Sequence, residues 1–244
     1  MRNLVLTAAI PSGPTRQGSS CCSYKQYFID TWRYWCLSND CVFHIIEHEW
    51  INPYWSVWNP DTSSLLDTWQ FDQVAVVDLD LMIKWDAPNF FEIEPNKVRG
   101  VKNRNEFYGW TKASAELFQP LFSDQIRTEE YINTGFIVFP TDKFREVLKV
   151  LPGWLEAKEE EIKVVQSNPQ CPDFGEQTVL NYILQSMFKI HLIDEKFNVQ
   201  MPDYRIISKI WDNAYINHIN YDGTKKHLIM KHIWESYRRY YGGL

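Results

Sequence analysis

Apolar runs bounded by turn-forming residues predict strands. Four such runs occur, and the third of them lacks the alternation of polar and apolar residues that a half-exposed strand shows, which indicates burial on both faces. The four runs are residues 4–10, Cys41–Ile46, Gln73–Val77 and residues 131–139. A further strand is predicted near the end of the chain, at residues 227–233, where the sequence reads HLIMKHI.

Helical spacing of apolar side chains predicts helices between these strands. Residues 24–37 and 175–186 each place apolar residues on one side of a helix. Thr141 is expected to cap a third helix, and Pro152 is expected to end it before a fourth begins. Strands that alternate with helices predict an α/β sandwich with a mostly parallel central sheet. Because no linker or repeat interrupts residues 1–244, we expect a single domain.

Composition excludes some classes of function. The 244 residues carry a formal net charge of -6, which argues against a general nucleic-acid binder, because duplex binding depends on cationic side chains. No apolar run approaches the roughly 20 residues that a membrane-spanning helix needs. The 5 cysteines include no C-x-x-C pair, which favours a reducing compartment, and we expect a cytoplasmic protein.

Two carboxylates, Asp78 and Asp80, directly follow the third predicted strand. Side chains two residues apart in an extended chain lie on the same face, so these two are expected to point together. Ligand sites in α/β sheets lie at the carboxyl ends of strands. Paired carboxylate oxygens suit Mg²⁺ or Mn²⁺. The pattern predicts a divalent-metal site, and the structural alternative is a pair of aspartates that cap a turn.

Four short motifs resemble those of the nucleotide-sugar-dependent glycosyltransferases with the GT-A fold. The similarity is greatest to the group that contains glycogenin and the bacterial lipopolysaccharide glucosyl- and galactosyltransferases. VAVVDLDLMI is similar to the D-x-D segment of that group, YINTGFIVF to its N-x-G strand, FGEQTVLNYIL to its D-Q-x-x-x-N helix, and HLIMKHIWE to its strand that ends in a metal-binding histidine. The motifs occur in the family's order, and the resemblance extends from Leu4 to about Trp234.

The resemblance implies a GT-A fold and a transfer reaction. A sugar would pass from a nucleoside-diphosphate sugar, with UDP favoured, to a hydroxyl acceptor. A glycan is the expected acceptor, ahead of a protein side chain or a modified nucleobase. Asp78, Asp80 and His232 would bind Mn²⁺ or Mg²⁺. Such an ion stabilises the charge that develops on the departing diphosphate.

Other site residues follow from the same resemblance. Asn133 and Gly135 would lie near the sugar and the acceptor. Ala8, at the end of the first strand, and Arg16, in the loop after it, would contact the nucleotide. The catalytic groups would include a polar cluster at a helix start, formed by Asp173, Glu176 and Gln177. In inverting members a carboxylate there deprotonates the acceptor, whereas a glutamine near the anomeric carbon is typical of retaining members. Retention of the anomeric configuration is slightly favoured over inversion.

The family's motif after the metal-binding histidine, G-x-x-K-P-W, is absent after His232. The usual phosphate-binding lysine is therefore not identified there. Lys231, Arg238 and Arg239 are the candidate substitutes.

Three other interpretations remain open. A D-x-D motif also begins the phosphohydrolases of the haloacid dehalogenase type, in which Asp78 would be the nucleophile. In those enzymes, however, the motif lies near the amino terminus and continues differently. A non-catalytic relative could bind a sugar nucleotide without turnover. A zinc site is the third, from Cys36, Cys41, His44 and His48, whose spacing matches no familiar finger.

Overall fold

The computed structural model describes residues 2–10, 24–51, 53–104, 108–171, 175–200, 213–219 and 223–240. Its strands are β1 (Asn3–Ala8), β2 (Cys41–Ile46), β3 (Gln73–Val77), β4 (Leu81–Ile83), β5 (Arg99–Lys102), β6 (Ile132–Pro140), β7 (His191–Leu192), β8 (Val199–Gln200) and β9 (Ile216–His218). Its α-helices are α1 (Lys25–Ser38), α2 (Thr62–Trp69), α3 (Tyr108–Phe118), α4 (Thr141–Gln166), α5 (Gly175–Met187) and α6 (Gly223–Tyr240). Within these ranges, no helix combines the length and the apolarity needed to cross a bilayer.

The described strands form a main sheet of six in the order β2-β1-β3-β6-β5-β7. β1 pairs in parallel with both β2 and β3, and β5 pairs in parallel with β7. β6 is antiparallel to both of its neighbours, β3 and β5. All strands of this sheet except β6 therefore run in one direction, which confirms the predicted α/β sandwich with a mostly parallel sheet.

Helices cover both faces of the main sheet and enclose two apolar cores. Val5 and Ala75 face one core, which α1 and α6 close. Leu4 and Val74 face the other core, which includes side chains from α2, α3, α4 and α5. Neighbouring residues of one strand are thus buried on opposite sides. This arrangement explains why the strands are continuous apolar runs in the sequence.

A smaller sheet of three strands, in the order β4-β9-β8, follows β3 along the chain. β4 pairs antiparallel with β9, and Leu81 is opposite His218. β8 pairs in parallel with β9, and Gln200 is also opposite His218. Only residues 78–80 separate β3 from β4. The D-x-D segment is therefore the connection between the two sheets.

Helix α4 is one continuous helix of 26 residues, so the break predicted at Pro152 is wrong. The predicted cap is also wrong, because the helix begins at Thr141 after Pro140 and no side chain caps it. Leu151 and Leu155 are both buried, so the apolar face continues across the proline. Proline removes one backbone hydrogen bond, and this packing outweighs that loss.

The strand predicted at residues 227–233 is wrong as well, because these residues lie within α6. Ile229, Ile233 and Tyr237 are buried at intervals of four residues, whereas Leu228 is 60% exposed. That period is typical of a helix with one apolar stripe, not of a strand buried on both faces. The other predicted strands and helices lie within two residues of their expected bounds.

Candidate metal centre

The D-x-D segment is held by backbone hydrogen bonds to both sheets. The Asp78 N–H donates to the Gly135 carbonyl at 2.9 Å, which extends the β3–β6 pairing by one residue. The Leu81 N–H then donates to the Asp78 carbonyl at 3.2 Å, closing a turn. The Asp80 carbonyl accepts from the Ile219 N–H at 3.0 Å, next to β9. The two carboxylates are thus fixed at the junction of the sheets.

His218 completes a group of three side chains that could bind a metal ion. Its Nε2 lies 3.2 Å from Asp80 Oδ1, and the possible ligand atoms of Asp78, Asp80 and His218 all lie within 4.8 Å of one another. Two donors at right angles around an octahedral ion with bonds of about 2.1 Å are about 3.0 Å apart. The spacing of Asp80 and His218 therefore fits a shared ion. Two carboxylates and one imidazole are a ligand set that Mn²⁺ accepts.

Gly135 keeps the space between the possible ligands open. A Cβ atom at this position would lie 2.8 Å from Asp78 Oδ2 and 2.8 Å from His218 Cε1. Both distances are shorter than a carbon atom tolerates without displacing its neighbour. The glycine of the N-x-G strand is therefore required by the close approach of two side chains.

Lys226 supplies a positive charge at the centre. Its Nζ donates to Asp80 Oδ2 at 2.8 Å, and its side chain is only 14% exposed. The same ammonium lies 5.6 Å from the centre of the Tyr24 ring, a favourable cation–π distance. With both aspartates ionised, one ammonium leaves the centre negatively charged. This imbalance favours the binding of a divalent cation.

The pKa values reflect this arrangement of charges. Burial raises the pKa of Asp78 to about 6, and repulsion from Asp80 adds to that effect, although Asp78 keeps contact with solvent. Burial alone would also raise the pKa of Asp80, but attraction to Lys226 outweighs it, and His218 adds to that attraction when its imidazole is protonated, so the pKa of Asp80 lies well below its usual range. Burial disfavours the charged form of Lys226, yet attraction to Asp80 raises its pKa. Asp80 is therefore compensated by neighbouring groups more fully than Asp78 is.

Asn133 and Gln177 form one hydrogen-bonded unit next to Gly135. Asn133 Nδ2 donates to Gln177 Oε1 at 3.0 Å, and the Thr134 N–H donates to the same oxygen at 3.3 Å. The Gly135 N–H donates to Asn133 Oδ1 at 3.1 Å. These contacts join the N-x-G strand to the start of α5, so the structure brings two of the predicted site segments together.

Asn181 accounts for the last position of the D-Q-x-x-x-N pattern. It lies one helical turn after Gln177, where its Oδ1 accepts from the Ile132 N–H at 2.8 Å. Its Nδ2 donates to the Ile132 carbonyl at 2.9 Å and to the Gln177 carbonyl at 2.8 Å. Asn181 thus attaches α5 to β6 through the backbone and sets the position of Gln177.

For the other predicted site residues the structure gives only a position. Glu176 lies in the first turn of α5 and is half-buried. Ala8 is the last residue of β1 and is also half-buried. Asp173 and Arg16 lie outside the described residues.

His232 is not the imidazole beside Asp80. It is exposed on α6, and the strand that it was expected to end is a helix. The imidazole that reaches Asp80 belongs to His218, the last residue of β9. The cations proposed from the same tail are exposed on α6 too: Lys231, Arg238 and Arg239.

Sequence reasoning misses His218, Lys226 and Asn198. A signal exists for the first two, because Gly223 and Lys226 have the G-x-x-K spacing expected after the metal-binding histidine, and His218 precedes them. The more apolar run that follows obscured it. Asn198 has no such signal, since it ends a short 3-10 helix, Glu195–Asn198, away from every motif.

The possible zinc site is not assembled in the structure. All four of its residues are described, yet the group formed by Asp78, Asp80 and His218 is the one such cluster found in the described ranges. The sulfur of Cys41 donates instead to the Asn39 carbonyl at 3.2 Å.

Comparison with known proteins shows what this fold is. The structure is similar to that of a glycosyltransferase involved in glycosylation of the major capsid protein of PBCV-1, with a TM-score of 0.59, 12% sequence identity, and coverage of 94% of this chain and 98% of that one. It is also similar to the galactosyltransferase LgtC in complex with donor and acceptor sugar analogues, with a TM-score of 0.52, 13% identity, and coverage of 96% and 95%. No family model and no curated protein sequence matches the chain. The predicted GT-A fold is thus confirmed.

Proposed function

We propose that this protein is a metal-dependent glycosyltransferase that moves a sugar from a nucleoside-diphosphate sugar to a hydroxyl acceptor. One observation carries the proposal. In a chain with the fold of glycosyltransferases, Asp78, Asp80 and His218 converge above Gly135 at the carboxyl end of β3. That end of an α/β sheet is where ligands bind.

Asp78, Asp80 and His218 would hold Mn²⁺ or Mg²⁺. The imidazole favours Mn²⁺, which accepts nitrogen ligands more readily than Mg²⁺. The ion, when bound, neutralises charge on the diphosphate that leaves the sugar. The incompletely compensated charge of Asp78 and the spacing of His218 from Asp80 support this assignment.

Lys226 is our candidate for the cation that binds the diphosphate. It is mostly buried and already forms an ion pair at the centre, whereas the tail cations considered from sequence are exposed. A buried ammonium contributes more to phosphate binding than a solvated one, because the surrounding dielectric is lower. We therefore assign to Lys226 the role that the missing G-x-x-K-P-W motif left open.

We further propose retention of the anomeric configuration, with Gln177 as the group beside the anomeric carbon. Gln177 is a neutral amide held by Asn133 and Thr134 next to the metal centre, which supports this choice. Inversion would instead require Glu176 or Asp173 as a base. The anomeric configuration of the first product, determined by NMR before mutarotation, decides between these two mechanisms.

The donor and acceptor follow the family resemblance. We propose a UDP-sugar as donor, with Ala8 and Arg16 as contacts to the nucleotide. A glycan is the proposed acceptor, in preference to a protein side chain or a modified nucleobase.

Calorimetric titration of UDP and GDP, with Mn²⁺ and then with EDTA, tests the proposal. We expect UDP to bind in the presence of Mn²⁺ and to be released by EDTA. The Asp80→Ala variant should not bind UDP, either with or without the ion. Binding of GDP alone would change the donor class. Absence of metal-dependent binding of either nucleotide would contradict the proposal. Binding without transfer to any hydroxyl acceptor would instead indicate a non-catalytic relative.

A further inference from the structure

A chain of polar side chains connects the metal centre to the start of α5. His218 Nδ1 lies 3.0 Å from Asn198 Oδ1, and Asn198 Nδ2 lies 2.8 Å from Asn133 Oδ1. Asn133 Nδ2 then lies 3.0 Å from Gln177 Oε1. Each of the four residues is at most 6% exposed. We call this series of four side chains the amide relay.

Backbone groups determine the direction of the amide relay. The Gly135 N–H can only donate, so the Asn133 atom facing it must be Oδ1. Asn133 Nδ2 therefore faces Gln177 Oε1, an oxygen that also accepts from the Thr134 N–H. Two backbone N–H donors therefore fix the orientation of the Asn133 and Gln177 side-chain amides, and with it the direction of donation along the relay.

This polarity extends through Asn198 to the imidazole. Because Asn133 presents Oδ1, Asn198 must offer Nδ2 to it, and its own Oδ1 then faces His218. Only an N–H can pair with that oxygen, so Nδ1 of His218 carries the proton. The lone pair of the neutral imidazole is consequently on Nε2, the atom that lies 3.2 Å from Asp80 Oδ1.

In the neutral imidazole, a lone pair on Nε2 that faces a carboxylate oxygen is unfavourable unless a proton or a metal cation lies between them. The other neutral tautomer would place a proton on Nε2, where it could donate to Asp80, and would place the Nδ1 lone pair against Asn198 Oδ1. That change creates a mismatch of two acceptors in a buried position. Rotation of the Asn198 amide by half a turn would only move the mismatch to Asn133. The relay therefore favours the tautomer that can bind a metal.

We infer that Asn198 is a positioning residue, which holds His218 in its metal-binding tautomer and joins that histidine to Gln177 through Asn133. The effect of Asn198 on catalysis rests on the proposed function, whereas its effect on the His218 tautomer does not. Partners of this kind on a ligating histidine are generally worth about 10- to 100-fold in metal affinity. No sequence motif marks Asn198, and the tertiary contacts alone assign this role.

The tautomer is tested first, in the metal-free protein at pH 9. Two-bond ¹H–¹⁵N spectra of ¹⁵N-histidine-labelled protein distinguish protonated from unprotonated ring nitrogens, and comparison with His218→Gln assigns the His218 signals. We expect Nδ1 of His218 to be protonated in the natural protein. In Asn198→Ala the proton should move to Nε2, where Asp80 accepts it. Identical His218 signals in the two proteins would overturn the inference.

Metal affinity and turnover test the consequence. We expect Asn198→Ala to lower Mn²⁺ affinity about 10- to 100-fold. Asn198→Asp keeps an oxygen that accepts from His218, so its Mn²⁺ affinity should recover. Because the carboxylate offers no proton to Asn133, kcat should stay low, with little change in KM for the donor. A variant that restores affinity and turnover equally would contradict the connection to Gln177.

Asn217→Ala is the matched control. Asn217 precedes His218 on β9 and is fully buried, but its Nδ2 lies 3.4 Å from the Tyr237 hydroxyl and does not contact the imidazole. This variant should keep the His218 tautomer and the Mn²⁺ affinity. Equal losses of Mn²⁺ affinity in Asn217→Ala and Asn198→Ala would show that the effect is general destabilisation. If the natural protein binds no Mn²⁺, the proposed function fails, whereas the NMR result still decides the tautomer.

Discussion

The two ends of β3 both carry polar groups, but they differ in how those groups are buried and paired. At the amino end, Gln73 accepts from the guanidinium of Arg99, which is fully buried. The remaining Arg99 donors reach backbone carbonyls, at 2.9 Å for Phe90 and 3.1 Å for Lys97, with a further contact to Ile93. Burial lowers the pKa of Arg99 to about 10, so it remains charged at neutral pH. This end is closed, because its donors face acceptors of the protein.

At the carboxyl end of the same strand the pairing of charges is incomplete, and we call this the open end of β3. Asp78 and Asp80 share one ammonium, that of Lys226, and an unprotonated His218 adds no positive charge. A cluster whose donors and acceptors are matched stabilises the fold, whereas one with an excess of acceptors favours a cation from outside. This difference separates a structural cluster from the proposed binding site on one strand.

The largest effect should follow from removing a carboxylate from the open end. We expect Asp80→Ala to abolish sugar transfer and metal-dependent nucleotide binding, a loss of about 10³-fold or more, while the fold is kept. The control is Asp72→Ala at the other end of β3, where the carboxylate accepts from the Arg2 N–H at 2.7 Å. Transfer by Asp80→Ala at the rate of the natural protein would remove the central claim.

Gln177→Ala should separate turnover from binding. We expect kcat to fall by about 10²- to 10³-fold, with nearly unchanged donor affinity, because the amide is assigned to the reacting sugar and not to the nucleotide. Gln185→Ala is the control, since Gln185 is also buried on α5 but accepts from the Arg127 N–H at 2.8 Å. If donor affinity alone falls in Gln177→Ala, Gln177 belongs to the nucleotide site.

Gly135→Ala should fill the space between Asp78 and His218 at the open end of β3. Its Cβ would lie 2.8 Å from Asp78 Oδ2, so the carboxylate must move, and we expect metal affinity to fall about 10- to 100-fold. Gly153→Ala is the control, because a Cβ there meets nothing within 4 Å. In the interior of α4 that change should stabilise the protein by about 0.5–1 kcal/mol. Unchanged Mn²⁺ affinity in Gly135→Ala would show that the space is not needed.

Arg99→Met should break the closed end alone. Leaving its carbonyl partners without donors should cost about 3–5 kcal/mol in the free energy of unfolding, measured with urea. Mn²⁺ affinity of the folded variant should not change. Arg145→Met removes an ion pair with the exposed Asp67 and should cost less than about 1 kcal/mol. A loss of Mn²⁺ affinity in Arg99→Met would mean that the two ends are coupled.

Much of the fold and part of the candidate site can be predicted from local sequence. β3 is buried on both faces, so four of its five residues are apolar, and the aspartates after it are conspicuous for that reason. The N-x-G strand and the Gln177 helix were found in the same way, as short motifs within regular elements. These features depend on neighbouring residues along the chain, which a sequence displays directly.

The partners of those residues depend on contacts that join distant parts of the chain. Lys226 is 146 residues from Asp80, and the relay joins His218 to Asn198 across the small sheet, whose short strands have no clear pattern. The run at residues 227–233 was apolar enough for a strand, but packing against α1 made it a helix and left His232 exposed. The sequence therefore determined four strands of the main sheet and the carboxylates, because burial leaves a local pattern. Only tertiary structure decided which imidazole, which ammonium and which amide meet them, because register and packing set those contacts.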